Sequence, residues 1–136
     1  LGGGTMQTAE FELRTTRRTE LQPITAAIAE LLRHQGWQNG VLAVFVPHTT
    51  AGVTINENAD PDVARDMTLF LDELVPDSPR FRHAEGNSDA HIKATLCGSS
   101  VQVIVRAGKP WLGAWQGIYF CEFDGPRTRT VRLAFS

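Results

Sequence analysis

The stretch SVQVIVRAGKPWLGAWQGIYFCEFDGPRTRTVRLAF, residues 100–135, decides the fold class. Val101, Val103 and Val105 alternate with Gln102, Ile104 and Arg106, the period of a strand with two unlike faces. Residues 118–123 and 128–135 are two further β-rich runs, and Asp124-Gly125-Pro126 between them supplies turn residues, so this pair predicts a hairpin. Upstream, residues 8–16 alternate about Phe11 and Leu13, residues 41–46 form a β-branched apolar run ended by Pro47, and residues 51–56 alternate about Val53 and Ile55. Three helical segments are interspersed. The first follows Pro23, with Ile24, Ile28, Leu31 and Leu32 on one face and Gly36 as its stop. The second starts at Asp60-Pro61-Asp62, an N-cap residue, a proline suited to the first helical position and an acidic residue near the positive dipole end. Val63, Met67, Phe70, Leu71 and Leu74 continue it up to Pro76. The third, residues 89–96, is expected to be capped by Ser88 and closed by Gly98. Strands bracket helices without a regular βαβ alternation, which predicts an α+β fold with a mostly antiparallel sheet.

A chain of 136 residues, 42% hydrophobic and 21% charged, suits one domain with its own core. Residues 1–5 read as a flexible tail ahead of Met6, leaving residues 6–136 as that domain. A formal charge of -2 argues against a dedicated nucleic-acid surface, which needs concentrated positive charge. No apolar run approaches the roughly 20 residues of a membrane span, and no charged-then-apolar leader opens the chain, so no membrane partner and a cytoplasmic location are expected. Cys97 and Cys121 lack the spacing of a zinc knuckle or a redox motif and are expected to be reduced, mostly buried small hydrophobes.

The chemistry-bearing residues fall into a few clusters. His48, His83 and His91 stand at predicted strand ends, loops or helix starts, and three imidazoles plus an open position would suit a catalytic divalent metal. They equally read as three separate polar residues. Glu57, Glu85, Asp89 and Glu122 are candidate general bases or partners that fix a histidine tautomer, with solvation or helix capping as the ordinary alternative. Gly86-Asn87-Ser88 leads into a helix whose free N–H groups would accept a phosphate, with Lys93 in its first turns. Arg127 and Arg129 would add a clamp from one face of the last strand. Trp111 and Trp115, among glycines, would wall a pocket, fill a core or meet another subunit.

Three segments together, residues 47–58, 85–93 and 113–127, resemble the YjbQ family, also described as the secondary thiamine-phosphate synthase family. The resemblance runs over nearly the whole chain after Met6 and departs from the motif at Ala114, where a small hydroxyl residue would be expected. It implies orthogonally packed β-sheets with a few short helices, a homotrimer, and a polar cleft in which His48, His83 and His91 hold a divalent metal, zinc or magnesium. It further implies Glu57 and Asp89 as catalytic residues, with Thr49, Thr50, Asn56, Asn87, Lys93, Gln116, Glu122 and Arg127 binding a small phosphorylated substrate. The implied reaction joins hydroxymethylpyrimidine diphosphate to thiazole phosphate and releases pyrophosphate. Two other readings stay open: a metal-dependent hydrolase of a small phosphorylated metabolite, and a non-catalytic trimeric module that binds an anionic ligand.

Overall fold

The structure is a computed structural model that describes residues 5–136. The expected tail therefore lies outside the described residues except for Thr5, which is exposed. In chain order the elements are β1 (Gln7–Arg14), β2 (Glu20–Pro23), α1 (Thr25–Gln35), β3 (Gly40–Phe45), β4 (Ala51–Glu57) and α2 (Pro61–Leu74). They continue with α3 (Ser88–Cys97), β5 (Ser100–Arg106), β6 (Lys109–Pro110), β7 (Gln116–Glu122) and β8 (Thr128–Phe135). The strands form a five-stranded sheet, ordered β1-β8-β3-β5-β6, and a three-stranded sheet, ordered β2-β7-β4. Their pairings are antiparallel, and the fold is α+β as the alternation predicts.

The expected hairpin between residues 118–123 and 128–135 does not form. β7 is the centre of the small sheet and β8 runs inside the large one, so residues 124–127 cross from one sheet to the other. The physical reason is in the alternation. Ile118 and Phe120 of β7 and Val131 and Leu133 of β8 belong to one buried cluster, which forms when the strands face each other across a core. Lying edge to edge, the two strands would turn these side chains to one side of a single sheet. Ile28 and Leu32 of α1, both 0% exposed, complete this core at i and i+4. Each contributes about 1.5–3 kcal/mol of burial.

The second face of β7 carries Tyr119 and Cys121 and, with Phe123 just beyond the strand, packs against Ala90 and Ala94 of α3 and Ala64 and Leu71 of α2. Covered on both faces, β7 is buried from Gly117 to Glu122. The helices agree with the sequence at their ends more than at their faces. Gly36 takes a left-handed φ of 71° and closes α1, and Asp60 caps α2 by accepting from Asp62 N–H at 2.9 Å. α1 begins at Thr25, because Pro23 belongs to β2 and Ile24 N–H bonds Ile118 C=O at 2.8 Å. α3 is preceded by Asn87 rather than Ser88, with no side-chain cap. α2 has no fully buried residue, and Phe70 and Leu74 of its expected apolar face are 60% and 55% exposed. Trp111 and Trp115 are also exposed rather than core, with the Arg106 guanidinium stacked 4.7 Å over Trp111. No helix among the described residues is long and apolar enough to cross a membrane.

Candidate functional site

Where the chain crosses between sheets, the core contains charge. Glu122, wholly buried, turns inward from β7 and meets Arg129, 5% exposed, from β8. Arg129 Nε donates to Glu122 Oε1 at 2.8 Å and Arg129 Nη2 to Oε2. Thr15 Oγ1 donates to Oε1 at 2.8 Å and Asp124 N–H to Oε2 at 2.9 Å. Burial pushes the Glu122 carboxyl up, and these hydrogen bonds, Arg129 first, outweigh it and hold the group below the usual carboxylate range. Both Glu122 and Arg129 are thereby spent inside the protein. Arg127 precedes β8, is half exposed, and donates to Asp124 Oδ2 at 2.9 Å, so it forms no clamp with Arg129.

Arg129 Nη2 also donates to Thr50 Oγ1 at 2.9 Å, which fixes the connection between β3 and β4 where His48 lies. His48 Nε2 accepts the Thr130 backbone N–H at 2.9 Å. A neutral imidazole has one lone pair and one N–H; with the lone pair engaged at Nε2, the proton belongs on Nδ1. Burial, and then the Arg129 charge, lower the His48 pKa and keep the ring neutral. His48 and Thr49 line a cleft of about 390 Å³ together with His91, Thr95 and Ser99. His83, in the loop before α3, does not line the cleft but meets His91, its ring 5.3 Å from that of His91 and edge-on at 89°. No carboxylate lines this cleft, and Glu85 Oε1 stands 3.9 Å from His83 Nε2. His48 and His91 thus line one cleft, and His83 is tied to it only through its contact with His91.

That arrangement does not fit a three-histidine metal ion within one chain. The lone pair of His48 is committed to Thr130, and His83 meets His91 edge to face. Among the described residues no three His, Cys, Asp or Glu side chains stand at ligand spacing.

Lys93 lies two residues beyond His91 and faces a different cleft. It is 2% exposed, donates to Asp72 Oδ1 of α2 at 2.6 Å, and lines a space of about 490 Å³ with Arg18, Thr68 and Asp89. Asp89 takes two hydrogen bonds from Arg18, each 3.1 Å. Burial pushes the Asp89 carboxyl up and the Arg18 bonds overcome it, leaving it below the usual range. Asn87 Nδ2 donates to Asp124 Oδ2 at 2.8 Å, and Asn87 Oδ1 is buried with no partner. α3 therefore separates the candidate residues into a histidine side and a lysine side.

A third group stands apart from both. Glu57 pairs in register with Gln116, whereas Ala51, next to the histidine cleft, pairs with Glu122. Six residues of strand separate the two ends, about 20 Å at the rise of an extended chain. Asn56 Oδ1 accepts Glu57 N–H, Gln116 Oε1 accepts Gly113 N–H, and Glu57 C=O accepts the Tyr119 hydroxyl. Asn56, Glu57 and Gln116 thus do not join His48 within one chain. Sequence reading missed Arg18, Asp72, Asp124, Thr95, Ser99 and the Thr130 amide. Arg18 and Asp72 carry no local pattern, Asp124 reads as a turn residue, and a backbone N–H leaves no signal at all.

The family profile described as "UPF0047 protein YjbQ-like" matches residues 9–136. The UPF0047 protein YugU of Bacillus subtilis is 52% identical over 124 residues, covering 90% of this chain and 94% of its own. A UPF0047 protein of Methanocaldococcus jannaschii is 51% identical over 120 residues, covering 88% and 87%. Among solved structures, an uncharacterised conserved protein of the YjbQ/UPF0047 family from Clostridium acetobutylicum superposes with a TM-score of 0.89 at 50% identity, covering 94% of this chain and 99% of that one. A hypothetical protein from Aeropyrum pernix K1 gives a TM-score of 0.89 at 39% identity, covering 96% and 98%. With the profile spanning both sheets and all three helices, the chain belongs to the YjbQ-like UPF0047 family.

Proposed function

We propose that the chain is an enzyme acting on a small phosphorylated substrate in the histidine cleft, with the thiamine-phosphate synthase type of reaction that its family resemblance implies. The observation that carries the reading is the chemistry of the cleft lining: two imidazoles, three hydroxyls and no carboxylate, with His48 presenting an N–H donor because its other nitrogen is held by Thr130. Such a lining suits an anion. A phosphate or diphosphate oxygen would accept from His48 Nδ1 and from Thr49 and Ser99, while the Thr95 hydroxyl donates to the His91 carbonyl at 3.0 Å.

In the transferase reading, the thiazole nitrogen attacks the methylene carbon of the pyrimidine diphosphate. A C–N bond forms, the C–O bond to the diphosphate breaks, and pyrophosphate leaves. His48 stabilises the leaving oxygens as charge builds on them. Lys93 and Arg127 are not part of this cleft in one chain and take no step here; Asp89 orients Arg18 rather than the substrate. A homotrimer, which the resemblance implies, belongs to the same proposal, as does a cytoplasmic setting. A divalent ion, zinc or magnesium, held by His48 would require that ring to release the Thr130 amide.

Purified protein, freed of host thiamine enzymes, is assayed with both half-substrates while metal content and oligomeric state are measured on the same sample. Thiamine phosphate and pyrophosphate in equal amounts, lost in His48→Ala, are expected. No product, with chelator-sensitive turnover of other phosphate esters, would replace this reading by the hydrolase. Phosphate-ester binding without turnover across a panel would replace it by the non-catalytic module.

A further inference from the structure

The short cross-strand partner of Cys121 makes room for a second sulfur. Gly52 of β4 pairs directly with Cys121 of β7, so the two residues face the same side of the small sheet. That side is covered by α3, and its last residue, Cys97, packs into the same cluster as Cys121. A Cβ on Gly52 would stand 3.0 Å from Cys97 Sγ and 3.3 Å from Cys97 Cβ. The Cys97 side chain thus occupies the place of the side chain Gly52 lacks, and opposed cross-strand Cβ atoms are about 4.5–5.5 Å apart. A disulfide needs Cβ atoms about 3.5–4.5 Å apart, so closure would draw the last turn of α3 and β7 to that span, and rotation about the two Cα–Cβ bonds would then align the sulfurs.

We propose that Cys97 and Cys121 are a reversible disulfide site, closed by a hydroperoxide and opened by thiols. Cys97, partly exposed, is the attacking sulfur, and Cys121, buried, resolves it. The Cys97 thiolate attacks the peroxide: an S–O bond forms, the O–O bond breaks, and the departing alkoxide or hydroxide takes a proton. Cys121 then attacks the sulfenic sulfur. The S–S bond forms, the S–O bond breaks, and water leaves with the Cys121 proton. Two thiols lose two electrons and the hydroperoxide gains them. The two thiols donate to the carbonyls of Val53 and Tyr119, and the influence of each sulfur on the other lowers the Cys97 pKa and, with burial, raises that of Cys121, which supports this order.

Closure would tie the last turn of α3 to the centre of β7. Gly98 and Ser99, the next residues, line the histidine cleft, and Gly98 C=O already accepts Val53 N–H at 3.1 Å. Oxidation would therefore fix one wall of the cleft without touching His48.

The test treats native protein with hydrogen peroxide, blocks free thiols under non-reducing conditions, and maps peptides by mass spectrometry. A Cys97–Cys121 linked peptide, with a loss of about 2 Da for the two hydrogens removed, and its reversal by dithiothreitol are expected. In Cys121→Ser the sulfenic acid on Cys97 should persist and react with dimedone, while Cys97→Ser should leave Cys121 unmodified. Circular dichroism checks that both variants keep the fold. Oxidation of Cys97 to sulfinic acid with Cys121 still free, or linkage that appears only in urea, would overturn the proposal.

Discussion

Replacing Glu122 by glutamine removes one charge from the junction of the two sheets while keeping its volume. The carboxylate accepts four hydrogen bonds, two from Arg129, one from Thr15 and one from the Asp124 amide. A glutamine has one oxygen to offer and turns an NH₂ toward donors at the other position, so at least one donor is orphaned. The larger loss is Arg129, 5% exposed, left as a buried cation without its counter-ion. Breaking such a pair costs about 3–5 kcal/mol, a large part of the roughly 5–15 kcal/mol that holds a domain together. For a chain of this size that corresponds to a fall in Tm of about 10–20 °C. The pH dependence gives a second signature. The Glu122 carboxyl titrates lower in the folded chain than its ordinary value of 4.5, so its contribution is complete above that value and is lost as pH falls toward the folded pKa. Wild type should lose stability through this acid range, and Glu122→Gln should show a shallower slope there. Urea denaturation at several pH values measures both. A loss below about 1 kcal/mol would refute the buried ion pair as an organiser of the junction.

Other expectations follow from single contacts. Gly52→Ala places a Cβ 2.4 Å from the Gly98 carbonyl oxygen, and should destabilise the chain by about 1–3 kcal/mol in the same denaturation experiment. Asp72→Asn leaves the buried Lys93 ammonium without its carboxylate and should cost about 1–3 kcal/mol; Lys93→Met, which keeps the stem, should cost less. Phe70→Ser on the exposed face of α2 should change monomer stability by less than about 0.5 kcal/mol, as read by denaturation at low protein concentration.

The sequence makes strand and helix existence legible wherever one period dominates, as in residues 100–106 and in Ile24, Ile28 and Leu32. It misleads at residues 118–135, because turn residues between two β runs look alike whether the chain folds back within a sheet or crosses to a facing one. β2 and β6, four and two residues long, are too short to show a period. On α2 the apolar spacing predicts a covered face, and within one chain Phe70 and Leu74 have nothing over them. For the site, His48 and His91 line one cleft and His83 meets His91 edge to face, but spacing in the chain hides direction. His91 and Lys93, two apart on α3, point into different clefts, and Glu57 lies at the opposite end of β4 from His48. The tautomer of His48 rests on the Thr130 amide, a group that no residue identity encodes.

His48, as a neutral donor to a phosphorylated ligand, is the residue on which the proposed function depends most. Nitrogen-15 correlation spectra of the histidine rings during titration with inorganic pyrophosphate test it directly. His48 should be the Nδ1–H tautomer before addition, its Nδ1 resonance should move with the ligand, and His48→Ala should weaken binding about tenfold or more, as expected for a hydrogen bond to a charged group. A His48 that is already the Nε2–H tautomer, or one left unmoved while the Lys93 and Arg18 resonances shift, would contradict it.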